Sequence, residues 1–130
     1  MPGQDSPQAV VAAFIDASAG VDIATECRLV LPVEQPNCNQ LLTLANPGAN
    51  GTITIGDLAL NGTKAIVVAV GRLCANYSCV LNTNRRNGLP ATPSDFDTAY
   101  QHVINELGMG YPAYAASQMS GRWYVDVGPD

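Results

Sequence analysis

Basic side chains are scarce in this chain: one lysine, Lys64, and five arginines stand against eleven acids, for a formal net charge of −5. So acidic a chain offers no cationic stripe to a phosphate backbone, which excludes nucleic acid as a partner. Long hydrophobic runs are missing as well. The longest, around Ala65 to Val70, falls far short of the roughly 20 residues that a membrane-spanning helix needs. There is one histidine, His102, and no close Cys-x-x-Cys pair, so the ligand spacing of a zinc site is absent. No phosphate-cradling glycine loop, nucleophile elbow or metal-binding helix occurs either. The sequence therefore assigns no catalytic residue, no metal and no cofactor.

Met1 is followed by Pro2, Gly3, Gln4 and Asp5, with neither a basic segment nor an apolar core. A secretory signal is thus not among these residues, and the choice lies between a cytosolic protein and one whose leader has been removed. The cysteines bear on that choice. Cys27, Cys38, Cys74 and Cys79 are an even set with three conceivable pairings, and their local spacing favours Cys27–Cys38 and Cys74–Cys79. Two such bridges would place the chain in an oxidising compartment, secreted or anchored to the cell envelope. Four buried free thiols, packing as small apolar side chains, are the alternative.

What is present suits one folded domain spanning residues 1–130. Apolar residues make up 47% of the chain, and a domain of this length buries roughly two thirds of the surface its unfolded chain exposes. Ser6 before Pro7 starts a helix, because the serine can accept an orphan amide and proline has no amide to orphan. Val10, Val11, Phe14 and Ile15 recur at helical spacing and Gly20 supplies the stop, which predicts a helix over 7–19. Asp22 reads as the cap of a second helix running to about Leu31, ahead of Pro32, and Asn37 as the cap of a short third helix carrying Leu41, Leu42 and Leu44. Residues 46–51 then read as a loop.

From Thr52 the pattern becomes strands, Ile53 to Leu60 and Thr63 to Leu73, separated by Asn61-Gly62, the pair favoured in a type I′ hairpin. A third strand near Tyr77 to Asn84 pairs back on the second. Both faces of the second strand are apolar or small, so it is expected in the centre of the sheet and covered on both sides. Arg85 and Arg86 leave the sheet. Ser94 then reads as the cap of a helix bearing Phe96, Tyr100, Val103 and Leu107 on one stripe. Two extended segments, Tyr114 to Met119 and Arg122 to Val127, end the chain. The fold class is α+β.

Helices first, then antiparallel strands, with the ending Gly121-Arg122-Trp123-Tyr124-Val125-Asp126, resemble the nuclear transport factor 2-like superfamily. Within it, the chain is similar to small exported or membrane-tethered domains common in actinobacteria. The resemblance implies N-terminal helices packed on a curved, cone-shaped antiparallel sheet, often with a pocket at the open end. The helix before the last hairpin is an insertion relative to the simplest pattern. Enzymes of this superfamily, such as ketosteroid isomerase, set an acid or base beside a tyrosine or histidine in an apolar cone.

No such residue transfers by motif, so the candidates come from the chain itself. Asp97 and Tyr100 stand at helical spacing, although Tyr100 also fits the core stripe. His102 lies off that stripe and is expected in solvent. Arg85 and Arg86 read as a solvated pair answering Asp95 or Asp97, or as an anion grip. Tyr111 and Tyr114 flank Pro112 and suit a pocket rim or a partner interface. Asn50, Asn61 and Asn76 open Asn-x-Ser/Thr sequons, acceptors only in a eukaryotic secretory pathway. The expectation is an extracytoplasmic, non-catalytic domain that binds a small apolar ligand or an envelope protein. The alternatives are a pocket enzyme using Asp97, Tyr100 or His102, and a homodimer through a sheet face.

Overall fold

The computed structural model describes residues 4–20, 22–38, 53–75, 78–107 and 111–128. Among these residues, three α-helices, α1 (Pro7–Ala19), α2 (Ile23–Arg28) and α3 (Phe96–Asn105), pack with an antiparallel sheet of five strands. The strands are β1 (Ile53–Asn61), β2 (Lys64–Ala75), β3 (Ser78–Asn82), β4 (Ala113–Met119) and β5 (Arg122–Val125). A 3-10 turn, Pro32–Asn37, follows α2, and a shorter one, Pro93–Asp95, leads into α3. The α+β class, the N-terminal helices and the helix before the last hairpin are all as expected.

β2 organises the sheet. One edge carries β1, while the other is shared, with β4 paired along Lys64–Val68 and β3 along Gly71–Ala75. Residues Ala65 to Ala69 are completely buried, because alternate side chains point to opposite faces and both faces are covered. Ala65, Val67 and Ala69 meet α1 through Val10, Val11, Phe14 and Ile15. Ile66 meets α3 through Phe96, Tyr100 and Val103. The helix before the last hairpin, α3, thus covers a sheet face.

The start of α1 is as expected: the Ser6 Oγ accepts the amide of Ala9 at 3.1 Å. The second helix is shorter than expected. Asp22 caps it, accepting from the Thr25 amide, but it ends at Arg28, three residues early. Val30 forms a parallel bridge with Val125, and the Leu31 amide donates to the Val125 carbonyl at 3.1 Å. Sheet pairing takes the backbone groups that a continued helix would have used. The expected third helix and the loop at residues 46–51 lie outside the described residues.

Two turns also differ. The first hairpin closes on Gly62-Thr63, since Asn61 still pairs with Lys64, and Gly62 has φ 63° whereas Thr63 is not in the left-handed region. A glycine at the first turn position suits a type II′ turn, whose one left-handed residue is that position. The type I′ geometry belongs instead to Ser120-Gly121, with φ of 54° and 78°. At α3, Ser94 is not the cap: its hydroxyl lies 3.0 Å from that of Thr92, inside the 3-10 turn, and Thr92 bonds Asp95.

Both disulfides form as expected, Cys27–Cys38 and Cys74–Cys79. The second joins residues directly opposite each other on β2 and β3. The first ties α2 to the end of the Pro32–Asn37 turn. No helix among the described residues is long and apolar enough to cross a membrane.

Candidate functional site

A cleft of about 540 Å³ opens between α3, the Pro32–Asn37 turn and the start of β2. Each wall follows from a local feature. The turn is bracketed by Pro32 and Pro36 and stapled by Cys38, so Glu34 is presented from a short, fixed segment. α3 sets Tyr100 inward, one turn from Phe96, with which its ring stacks at 5.8 Å. Beyond β5, Asp126 remains attached to the sheet, its amide donating to the Ala115 carbonyl at 2.9 Å.

These three side chains meet on the floor. The Tyr100 hydroxyl donates to Asp126 Oδ2 at 2.7 Å. Glu34, only 8% exposed, accepts the Val127 amide on Oε1 and the Gly128 amide on Oε2, both at 2.9 Å. The Gly128 amide also lies 3.0 Å from Asp126 Oδ1, so the two carboxyls come together at one N–H. Burial, and then that contact with Asp126, pushes Glu34 up to about 8, against the two amides that would lower it. Burial and Asp126 likewise push the Tyr100 hydroxyl well above its ordinary range. At neutral pH Glu34 therefore keeps its proton and Tyr100 is neutral.

The rest of the lining is mixed. Leu31, Val33 and Ile104 make an apolar wall; Asp97, Gln101 and Ser117 supply polar groups. Lys64 sits at the mouth with its Nζ 5.0 Å from the centre of the Tyr100 ring.

Asp97 and Tyr100 both line the cleft, but the acid bonded to Tyr100 is Asp126, from the last segment, not Asp97. Tyr100 is also a core residue, 5% exposed. His102 is exposed and stands edge-on to Tyr111 at 5.2 Å, away from the cleft. Tyr111 and Tyr114 form no common rim: Tyr114 packs on Phe14 across the sheet from Tyr111, which lies with the α3 cluster. Arg85 and Arg86 answer Asp57, at 3.5 and 3.2 Å, rather than Asp95 or Asp97. The reason is backbone pairing, since the Asp57 amide donates to the Arg85 carbonyl at 2.9 Å and draws that loop to β1. Asn61 is exposed at the hairpin end; Asn50 and Asn76 lie outside the described residues.

Glu34 was not singled out by sequence reasoning, because its amide partners stand 93 and 94 residues away. The available signal was an acid inside Leu31-Pro32-Val33-Glu34-Gln35-Pro36, a segment too apolar and too proline-rich to be an ordinary exposed helix. Comparison of the chain with family models, with curated proteins and with solved structures gave no match.

Proposed function

We propose that the chain is an extracytoplasmic domain that binds a small ligand with an apolar body and a polar group in the cleft beside α3. The observation that carries this reading is the acid pair and tyrosine on the floor of a cleft with an apolar wall. A few convergent polar groups among apolar ones are what small-molecule sites supply. Two disulfides support an oxidising compartment. The order of elements is compatible with membership of the nuclear transport factor 2-like superfamily, which remains part of this proposal.

The test is a thermal-shift screen of small amphipathic molecules against the disulfide-intact protein and an Ile104→Trp variant that fills the cleft. A saturable stabilisation of the parent that the variant loses supports the reading. Ligands that stabilise both equally, or no stabilisation at all, would overturn it.

A second reading, a proton-transfer enzyme, draws on the same floor: an acid whose pKa is raised to about 8 beside a tyrosine suits general acid or base work near neutral pH. Its working acid would be Glu34 or Asp126, not His102. Docking of an envelope protein has a different basis, the exposed Val80 and Leu81 on β3. A homodimer through a sheet face has less support, because α1 and α3 of the same chain lie on the two faces of β2 and β4.

A further inference from the structure

Lys64 is the chain's single lysine, and its ammonium rests on the face of Tyr100 at the mouth of the cleft. The aromatic face attracts a cation through its quadrupole. The Tyr100 hydroxyl leads to Asp126, and Asp126 and Glu34 both accept from the Gly128 amide, at 3.0 and 2.9 Å. The titratable and charged groups that line the cleft with Glu34 are Asp126 after β5, Tyr100 and Asp97 on α3, and Lys64 on β2. Three of these five groups, counting Glu34, are carboxyls and one is a cation. Lys64 occupies the place that a ligand cation would take, and Leu31 and Ile104 in the same lining can cover methyl or methylene groups.

Two adjoining carboxyls cannot both ionise cheaply, and a proton is one way to relieve them. A cation is the other. We propose that the cleft is a site for a small organic ammonium ion with a short apolar body, whose binding displaces the Lys64 ammonium from Tyr100 and releases a proton from Glu34. The inference rests on reading the cleft as a ligand site. It adds the charge of the ligand and the proton exchanged for it, one positive charge entering as one leaves.

Choline and its neutral carbon isostere, 3,3-dimethylbutan-1-ol, separate the two levels of the argument, since they share a shape and differ in charge. Calorimetric titration of the intact protein at pH 6 and pH 8, each in two buffers of different ionisation enthalpy, reads both affinity and protons released. Choline is expected to bind at least about tenfold more tightly at pH 8 than at pH 6; release of one whole proton sets a ceiling of about tenfold per pH unit. The isostere is expected to bind more weakly and without pH dependence. Lys64→Met, at an exposed position, is expected to tighten choline binding several-fold by removing the internal competitor. Equal binding of choline and isostere would overturn the cation inference and leave the cleft as a ligand site. A choline preference identical at both pH values would overturn the proton exchange. Binding of neither would overturn both the inference and the reading beneath it.

Discussion

The two faces of the sheet are built from the same strands and end up unlike each other. On the α1 side, Phe14, Ile15, Val67, Trp123 and Val125 interlock into one large apolar cluster. On the α3 side the strands offer Ile66, Ala113 and Ala115, and the cluster is small. The alanines on β4 bring α3 close but give its Phe96, Tyr100 and Val103 few large strand side chains besides Ile66 to pack against. Polar groups then fill the margin: Glu34, Asp126 and the Tyr100 hydroxyl. The filled face supplies stability, and the thin face retains a cleft. Large side chains close space, whereas small ones hand it to whatever the neighbouring segments bring in.

The sharpest way to break this contrast is to empty each face in turn. Phe14→Ala removes a side chain 3% exposed at the centre of the large cluster and is expected to cost about 3 to 5 kcal/mol, near the upper end because the packed surroundings cannot collapse. Phe96→Ala on the thin face is expected at the lower end, since the small cluster around it holds fewer large side chains and can relax. Urea unfolding of both variants measures the difference. Equal losses would mean that the two faces are equally packed.

Removing Cys27–Cys38 by a double alanine substitution comes next, at about 2 to 3 kcal/mol in the chain-entropy model. That bridge also fixes the turn bearing Glu34. The loss should therefore be accompanied by faster exchange of the Val127 and Gly128 amides, which Glu34 accepts. Removing Cys74–Cys79, whose strands already pair at that position, should leave those two amides protected.

Legibility in the sequence follows the same division. α1, the β1–β2 hairpin, the burial of β2 and both disulfides depend on residues close in the chain or on a simple period, and all were readable. The early end of α2 was not, because Val30 is claimed by Val125, a partner 95 positions away by their numbers. The site failed for the same reason. Tyr100 was visible as a candidate through its helical spacing, but its true partner Asp126 and the buried Glu34 come from distant segments that periodicity does not relate. Pairing Arg85 and Arg86 with Asp57 likewise needed the β1 register, not the nearby acids of α3.

Smaller effects probe the thin face alone. Tyr100→Phe removes the donor to Asp126 and is expected to cost about 1 to 2 kcal/mol, measured by the same unfolding, because a partly buried acceptor is left unsatisfied. Glu34 adds a pH dependence whose sign is set by its raised pKa. The folded protein holds a proton on Glu34 up to about 8, whereas the ordinary value is 4.5. Between those two values the folded state binds more protons than the unfolded one, so this group's contribution makes stability fall as pH rises from 4.5 to about 8, then level off. Glu34→Gln should flatten that slope in melting curves taken across the range. A slope unchanged in the variant would show that some other group carries it.

The smallest expected effect lies outside both faces. Arg86 reaches Asp57 at 3.2 Å, yet its side chain is 67% exposed and that of Asp57 38%. Water screens such a pair and side-chain entropy opposes it, so Arg86→Ala is expected to cost about 0 to 1 kcal/mol in urea unfolding. Arg85 stands at 3.5 Å on the other oxygen of Asp57 and remains in the variant. The backbone bond from the Asp57 amide to the Arg85 carbonyl also survives the substitution. A loss well above 1 kcal/mol would mean that the side chains, rather than that backbone bond, hold the loop to β1. The loop's attachment would then be an electrostatic property, sensitive to salt, instead of part of the sheet's own pairing.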